Sequence, residues 1–230
     1  MKTIGLIGGM SWESTQTYYR LVNQMVREEL GGLHSAKIVL LSVDFAEIDE
    51  LQKQGDWKKG GDIMASAALS LQAAGADAIL IGANTMHKVA EAVEHAVRIP
   101  LLHIADATAS AIKRDNITTV GLLGTKFTME QEFYRARLES HGIQVILPDD
   151  AQRETVHSVI YNELCRGEFK PESKARYLDI VADLSSRGAQ GVILGCTEIG
   201  LLINSADTSV RLYDTTEIHA RRAVEFALNE

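Results

Sequence analysis

The chain has 230 residues, 46% hydrophobic and 23% charged, a balance that suits a globular protein with a real core and excludes a low-complexity chain. Its formal charge of −8 and pI near 5.4 argue against nucleic acid or an anionic membrane as partner, and no apolar run is long enough to cross a bilayer. Two cysteines, Cys165 and Cys196, are too few for a disulfide framework or a metal cluster; with no signal-peptide pattern in MKTIGLIGGMSWEST, a reduced, cytoplasmic protein without a metal site is expected.

Short β-rich runs alternate with longer amphipathic ones. Strands are expected at 3–7, 37–43, 78–81, 101–104, 118–123, 144–147, 191–194 and 211–213. Most are continuously apolar, as strands covered on both faces of a parallel sheet must be. In the first helical stretch Tyr18, Leu21, Val22, Met25 and Val26 recur at three- and four-residue spacing and form one buried stripe. Helical stretches close at Gly31, Gly75, Gly142 and Gly188, where a left-handed residue is expected. None of the three prolines, Pro100, Pro148 and Pro171, interrupts a helical pattern.

The chain also repeats itself. Ile4-Gly5-Leu6-Ile7-Gly8 is echoed by Val120-Gly121-Leu122-Leu123-Gly124, Tyr19-Arg20 by Tyr134-Arg135, and the segment 75–82 by 188–195. The offsets are 116 (Gly5 to Gly121), 115 (Tyr19 to Tyr134) and 113 residues (Gly75 to Gly188). Three echoes in order at nearly one offset imply two similar lobes. The expected fold class is therefore α/β, with two pseudo-symmetric lobes, each a parallel sheet flanked by helices. Residues 1–104 plus 214–230 would form the first lobe and 105–213 the second. A ligand is expected in the cleft between them, at the carboxyl ends of the strands.

The same 113-residue offset carries residue 83 to residue 196, so Ala83 and Cys196 are equivalent points. Each follows a strand and a glycine, and each precedes polar residues at a helix start: Asn84-Thr85 in one lobe, Thr197-Glu198 in the other. Backbone N–H groups there attract anions and favour a thiolate. Cys196 thus stands where a thiol can act as a base, against the plainer reading of an inert core cysteine.

These segments carry a resemblance. Ala83-Asn84-Thr85-Met86-His87 resembles the Cys-Asn-Thr-x-His segment of cofactor-independent aspartate/glutamate racemases, and Gly195-Cys196-Thr197 their second Gly-Cys-Thr segment. Gly8-Gly9-Met10, Gly124-Thr125 with Thr128, and Asp214-Thr215 resemble the family's remaining loops, so the likeness covers essentially the whole chain. It implies inversion of an acidic amino acid by two opposed acid–base groups, without a cofactor, in a homodimer. No pyridoxal-binding lysine motif is evident. Backbone N–H groups, Met10's among them, with Asn84 and the hydroxyls of Thr85, Thr125, Thr128 and Thr197, would hold the α-carboxylate and stabilise enediolate charge. Arg166, in a segment resembling the one that offers a cation to the distal carboxylate, would grip that group; a solvated surface arginine is the equal alternative.

Ala83 departs from the family pattern, because a methyl group neither accepts nor delivers a proton. One reading is a racemase whose second acid–base position has been replaced, leaving Cys196 to serve the face from which the L-enantiomer loses its proton. The other is a natural one-thiol enzyme, like the related arylmalonate decarboxylases, acting on malonate- or maleate-like diacids. The Asn-Thr-x-His sequence favours the first. A non-catalytic amino-acid or dicarboxylate binder is the alternative from a different class. The remaining candidates read as structural: Ser11 or Ser14 as a helix cap, His87 and His219 as supports, Cys165 as a bystander, and 56–59 as a solvated helix start.

Overall fold

The structure, a computed structural model, describes residues 1–229. The chain divides into two compact units, residues 1–104 together with the chain from His219 onward, and residues 105–218. The return crossing lies five residues beyond the boundary expected at 213/214. The first turn of the last helix stays with the second unit because Thr215 donates its hydroxyl proton to the Leu194 carbonyl at 2.8 Å.

The first unit is built on β1 (Ile4–Gly8), with β2 (Ile38–Ser42) and β3 (Ala78–Ile81) beside it in the order β2-β1-β3, all parallel. Every residue of β1 and β3 is buried, as their unbroken apolar runs require. Alternate side chains serve two cores. Ile4, Leu6, Ala78 and Leu80 pack against Tyr18, Val22, Met25 and Val26 of α1 (Trp12–Leu30) and Ala220, Ala223 and Val224 of α11 (Thr215–Leu228). Ile7, Ile79 and Ile81 face α2 (Phe45–Gln54), α3 (Trp57–Ala73) and α4 (Ala90–Ala96). Each isoleucine, leucine, valine or methionine among them contributes roughly 1.5–3 kcal/mol on burial.

The second unit repeats this plan with one strand more. β4 (Thr119–Gly124), β5 (Gln144–Ile146), β6 (Gly191–Gly195) and β7 (Arg211–Asp214) lie in the order β5-β4-β6-β7, again parallel throughout. The first three stand as β2-β1-β3 do in the first unit. Around them run α5 (Ile104–Arg114), α6 (Lys126–Glu130), α7 (Glu132–Ser140), α8 (Asp150–Asn162), α9 (Pro171–Ser186) and α10 (Ile199–Leu202). Pro171 opens α9, where its missing N–H costs nothing. Gly31, Gly75, Gly142 and Gly188 all have positive φ just past helix ends.

Two expectations are corrected. Segment 101–104 is not a strand: Leu101 makes a single parallel bridge to Ile79, and Ile104 already begins α5. Its N–H is taken by His87 Nε2 at 3.2 Å, which ends the ladder. The Tyr19/Tyr134 echo is one of sequence only. Tyr134 is fully buried while Tyr19 is exposed, because the inward stripe of α1 runs through Tyr18.

Candidate active site

In each unit two strands that end at, or just before, a glycine finish side by side and hand over to short turns. In the first unit β1 runs beside β3, with Ile7 opposite Ile81, so the Gly9-Met10 turn stands next to the Ala83-Asn84 turn. Gly9 has φ +93°, and a Cβ there would overlap the Val43 backbone, so only glycine fits. Its N–H donates to Thr15 Oγ1 at 2.8 Å, while Ser11 caps α1 by accepting from the Ser14 N–H. The Met10 side chain packs in one core with Ala83 and Met86.

The turn after β3 is held by His87. Ile104 N–H can only donate, so His87 Nε2 accepts and Nδ1 carries the proton, which it gives to the Ala83 carbonyl at 2.8 Å. His87 is thus a neutral clamp between position 83 and the start of α5. Ala83, Asn84 and Thr85 are all buried, and Thr85 opens a 3-10 turn, Thr85–Val89. Gln52, also buried, donates to the Met86 sulfur at 3.2 Å, and Lys88 lies 3.8 Å over the Trp57 ring with burial lowering its pKa. Asp56 caps α3 through the Lys59 N–H, so the 56–59 run is a helix start.

In the second unit Gly124 of β4 is register-paired with Gly195 of β6, which sets the Thr125 turn beside Cys196. Thr125 caps α6: its Oγ1 accepts from the Thr128 N–H at 3.3 Å and lies 3.2 Å from Thr128 Oγ1. Cys196, Thr197 and Glu198 follow β6, all buried, in a tight turn closed by the Ile199 N–H on the Cys196 carbonyl at 3.1 Å. The Cys196 thiol donates to Glu198 Oε2 at 3.0 Å, and the Thr197 hydroxyl donates to the same oxygen at 2.8 Å.

The thiol is not a ready thiolate. Burial first, then the Glu198 carboxylate and Cys165, push its pKa well above the ordinary thiol value. That reverses the expectation drawn from a helix start. The turn delivers a carboxylate to the sulfur, and α10 has only four residues with which to oppose it. Nothing in the sequence singled out Glu198. Its separation of two residues from Cys196 becomes a contact only because the turn folds both side chains to one side.

Arg166 is exposed, on the 3-10 turn Leu164–Arg166 that ends at the left-handed Gly167. Its half-buried neighbour Cys165 lies within electrostatic reach of Cys196, and neither cysteine is in a disulfide. Asp214 caps α11 through the Thr216 and Glu217 N–H groups, and burial raises its pKa. His219, fully buried, donates Nε2–H to the Leu102 carbonyl at 2.5 Å and accepts the Tyr18 hydroxyl at Nδ1. Among the described residues no helix is long and apolar enough to cross a membrane.

A family model described as Asp/Glu/Hydantoin racemase matches residues 7–223. A protein from Yersinia pestis proposed to be an Asp/Glu racemase has a similar structure, with a TM-score of 0.93 and 56% identity over all of both chains. An aspartate racemase homologue from Pyrococcus horikoshii OT3 gives 0.85 and 36%, again over all of both chains. In sequence the chain is 22% identical to a broad specificity amino-acid racemase of Bacillus subtilis (strain 168), covering 96% of each. With the two parallel sheets and the glycine-ended turns already in place, these likenesses settle the relationship: the chain belongs to the Asp/Glu/Hydantoin racemase family.

Proposed function

We propose that this protein acts on acidic amino acids, aspartate or glutamate, as a cofactor-independent α-proton transferase in which Cys196 serves one face of the α-carbon. The observation that carries the reading is the thiol at the carboxyl end of β6, beside the Thr125 turn, with a methyl group at the equivalent point after β3. The Cys196 sulfur takes the α-proton of the L-enantiomer, and the electron pair passes into the α-carboxylate as an enediolate. By the family resemblance the groups for that carboxylate are Thr125, Thr128, Thr197, Asn84, Thr85 and the Met10 backbone, with Arg166 for the distal one. In the family's two-base pattern the second face of the α-carbon belongs to residue 83. Alanine there delivers no proton, so Cys196 returns its own, exchanged with solvent, to the face it came from. The chain then exchanges protons without inverting the centre.

Proton NMR in D₂O tests this. L-aspartate or L-glutamate should lose its α-proton signal slowly with unchanged optical rotation, and the D-enantiomers should keep theirs. Cys196→Ser should slow exchange by at least about a hundredfold with the circular dichroism spectrum retained. Ala83→Cys should racemise. Exchange unaffected by Cys196→Ser defeats the reading. Loss of carbon dioxide from a malonate-like diacid, with amino acids inert, transfers the thiol to the single-cysteine decarboxylase chemistry that a methyl at residue 83 also suits.

A further inference from the structure

The sulfur that must act as a base rests as a buried thiol, with its proton directed at a carboxylate. Glu198 is 2% exposed and Cys196 8%, so water is a poor acceptor for that proton. One carboxylate oxygen, Oε2, receives both the thiol and the Thr197 hydroxyl, at 3.0 and 2.8 Å. A single carboxyl oxygen has the lone pairs to accept both donors. The turn that closes on the Cys196 carbonyl keeps the pair together.

We propose that Glu198 is the internal proton acceptor of Cys196: the thiol proton moves to Glu198 Oε2 as substrate binds, leaving a thiolate beside a neutral carboxylic acid. The inference rests on the proposed role of Cys196 as the base. Its balance is simple. The S–H bond breaks, an O–H bond forms, and the total charge of the pair stays at −1. No proton leaves the protein, so the step itself is independent of pH while the pair holds one proton. Glu198 acts through the sulfur, as a positioning and proton-holding residue.

Other groups around the sulfur do not compete. Tyr177 of α9 is buried, its pKa is raised by burial and then by Cys196, Glu163 and Cys165, and its hydroxyl donates to the Val156 carbonyl at 2.8 Å. Glu163 accepts from Ser173 at 2.6 Å and faces Lys170 at 3.5 Å. Cys165 on its 3-10 turn bears on Cys196 as a like charge, which raises the pKa of the thiol.

Glu198→Gln keeps an acceptor oxygen for both donors and removes the charge. In a Cys165→Ser background, iodoacetamide alkylation reads the ionisation of Cys196 without any substrate. The alkylation midpoint should move down by about one pH unit or more in Glu198→Gln, because a like charge has gone. Amino-acid exchange should change shape as well. In the parent protein it should be flat from pH 6 to 8. In Glu198→Gln it falls below the parent at pH 6 and climbs about tenfold per unit, since the thiol proton must now go to solvent. Glu198→Asp should recover the flat profile in part. An alkylation midpoint that stays in place or moves up in Glu198→Gln overturns the proposal, as does an exchange profile that keeps its shape. If no variant exchanges any amino acid, the proposed function fails, and the alkylation shift still decides the coupling of Glu198 to Cys196.

Discussion

His219 shows how much a single buried ring can depend on its two hydrogen bonds. Both nitrogens are engaged, and burial lowers its pKa from 6.5 to about 4 despite the Leu102 carbonyl acting the other way. The folded state therefore holds the ring neutral, while the unfolded chain protonates it near 6.5. Stability is fully present above pH 6.5, falls as the pH drops toward 4, and is flat again below that. The total loss is about 3 kcal/mol. Urea midpoints measured from pH 7 to pH 4 should fall for the parent protein and fall less for His219→Asn, the difference isolating the ring from the carboxylates that titrate in the same window. Equal slopes for the two proteins contradict this account.

At the scale of elements, the site depends on strands approaching more closely than a side chain allows. A Cβ at Gly195 would stand 2.7 Å from the Leu123 carbonyl and 2.9 Å from Leu122 Cδ1, inside the β4–β6 pairing that presents Cys196. Gly195→Ala should therefore cost about 1–3 kcal/mol through overpacking and slow exchange by moving the thiol turn. A helix cap remote from β6 in sequence provides the contrast. Asp149 accepts from the Gln152 N–H at 2.8 Å in a capping box that starts α8. Asp149→Ala should lose about 1 kcal/mol of stability and leave exchange intact. Thermal unfolding and the NMR assay on both variants check the pair; wild-type exchange in Gly195→Ala would remove the strand approach from the account.

For the whole molecule, a formal charge of −8 opposes the proposed acidic amino-acid substrate, with its two carboxylates and one ammonium group. Between 10 and 150 mM salt the screening length shrinks from about 30 to about 8 Å, so the distant charges fade before the local ones. The apparent second-order rate of L-aspartate exchange should rise about twofold over that range. A fall instead would mean that cations near the site dominate the approach, with the exposed Arg166 the first to replace.

Much of this protein is legible in its sequence. Alternating apolar runs and amphipathic stretches, with glycines closing helices, define parallel α/β units because these patterns follow from local geometry. The repeat offset that joins Ala83 to Cys196 needed only counting, and both residues do follow strands of matching position in their sheets. What the sequence could not supply depends on side chains meeting and on water leaving. Segment 101–104 carries an apolar run, yet a histidine seventeen residues earlier takes the N–H that a strand would have used. Tyr18 and Tyr19 are equally aromatic, and only the packing of α1 chooses between them. A turn after a strand suggested an acidic thiol; the fold instead buried it against Glu198, a partner that no spacing rule marks, and so decided where its proton rests.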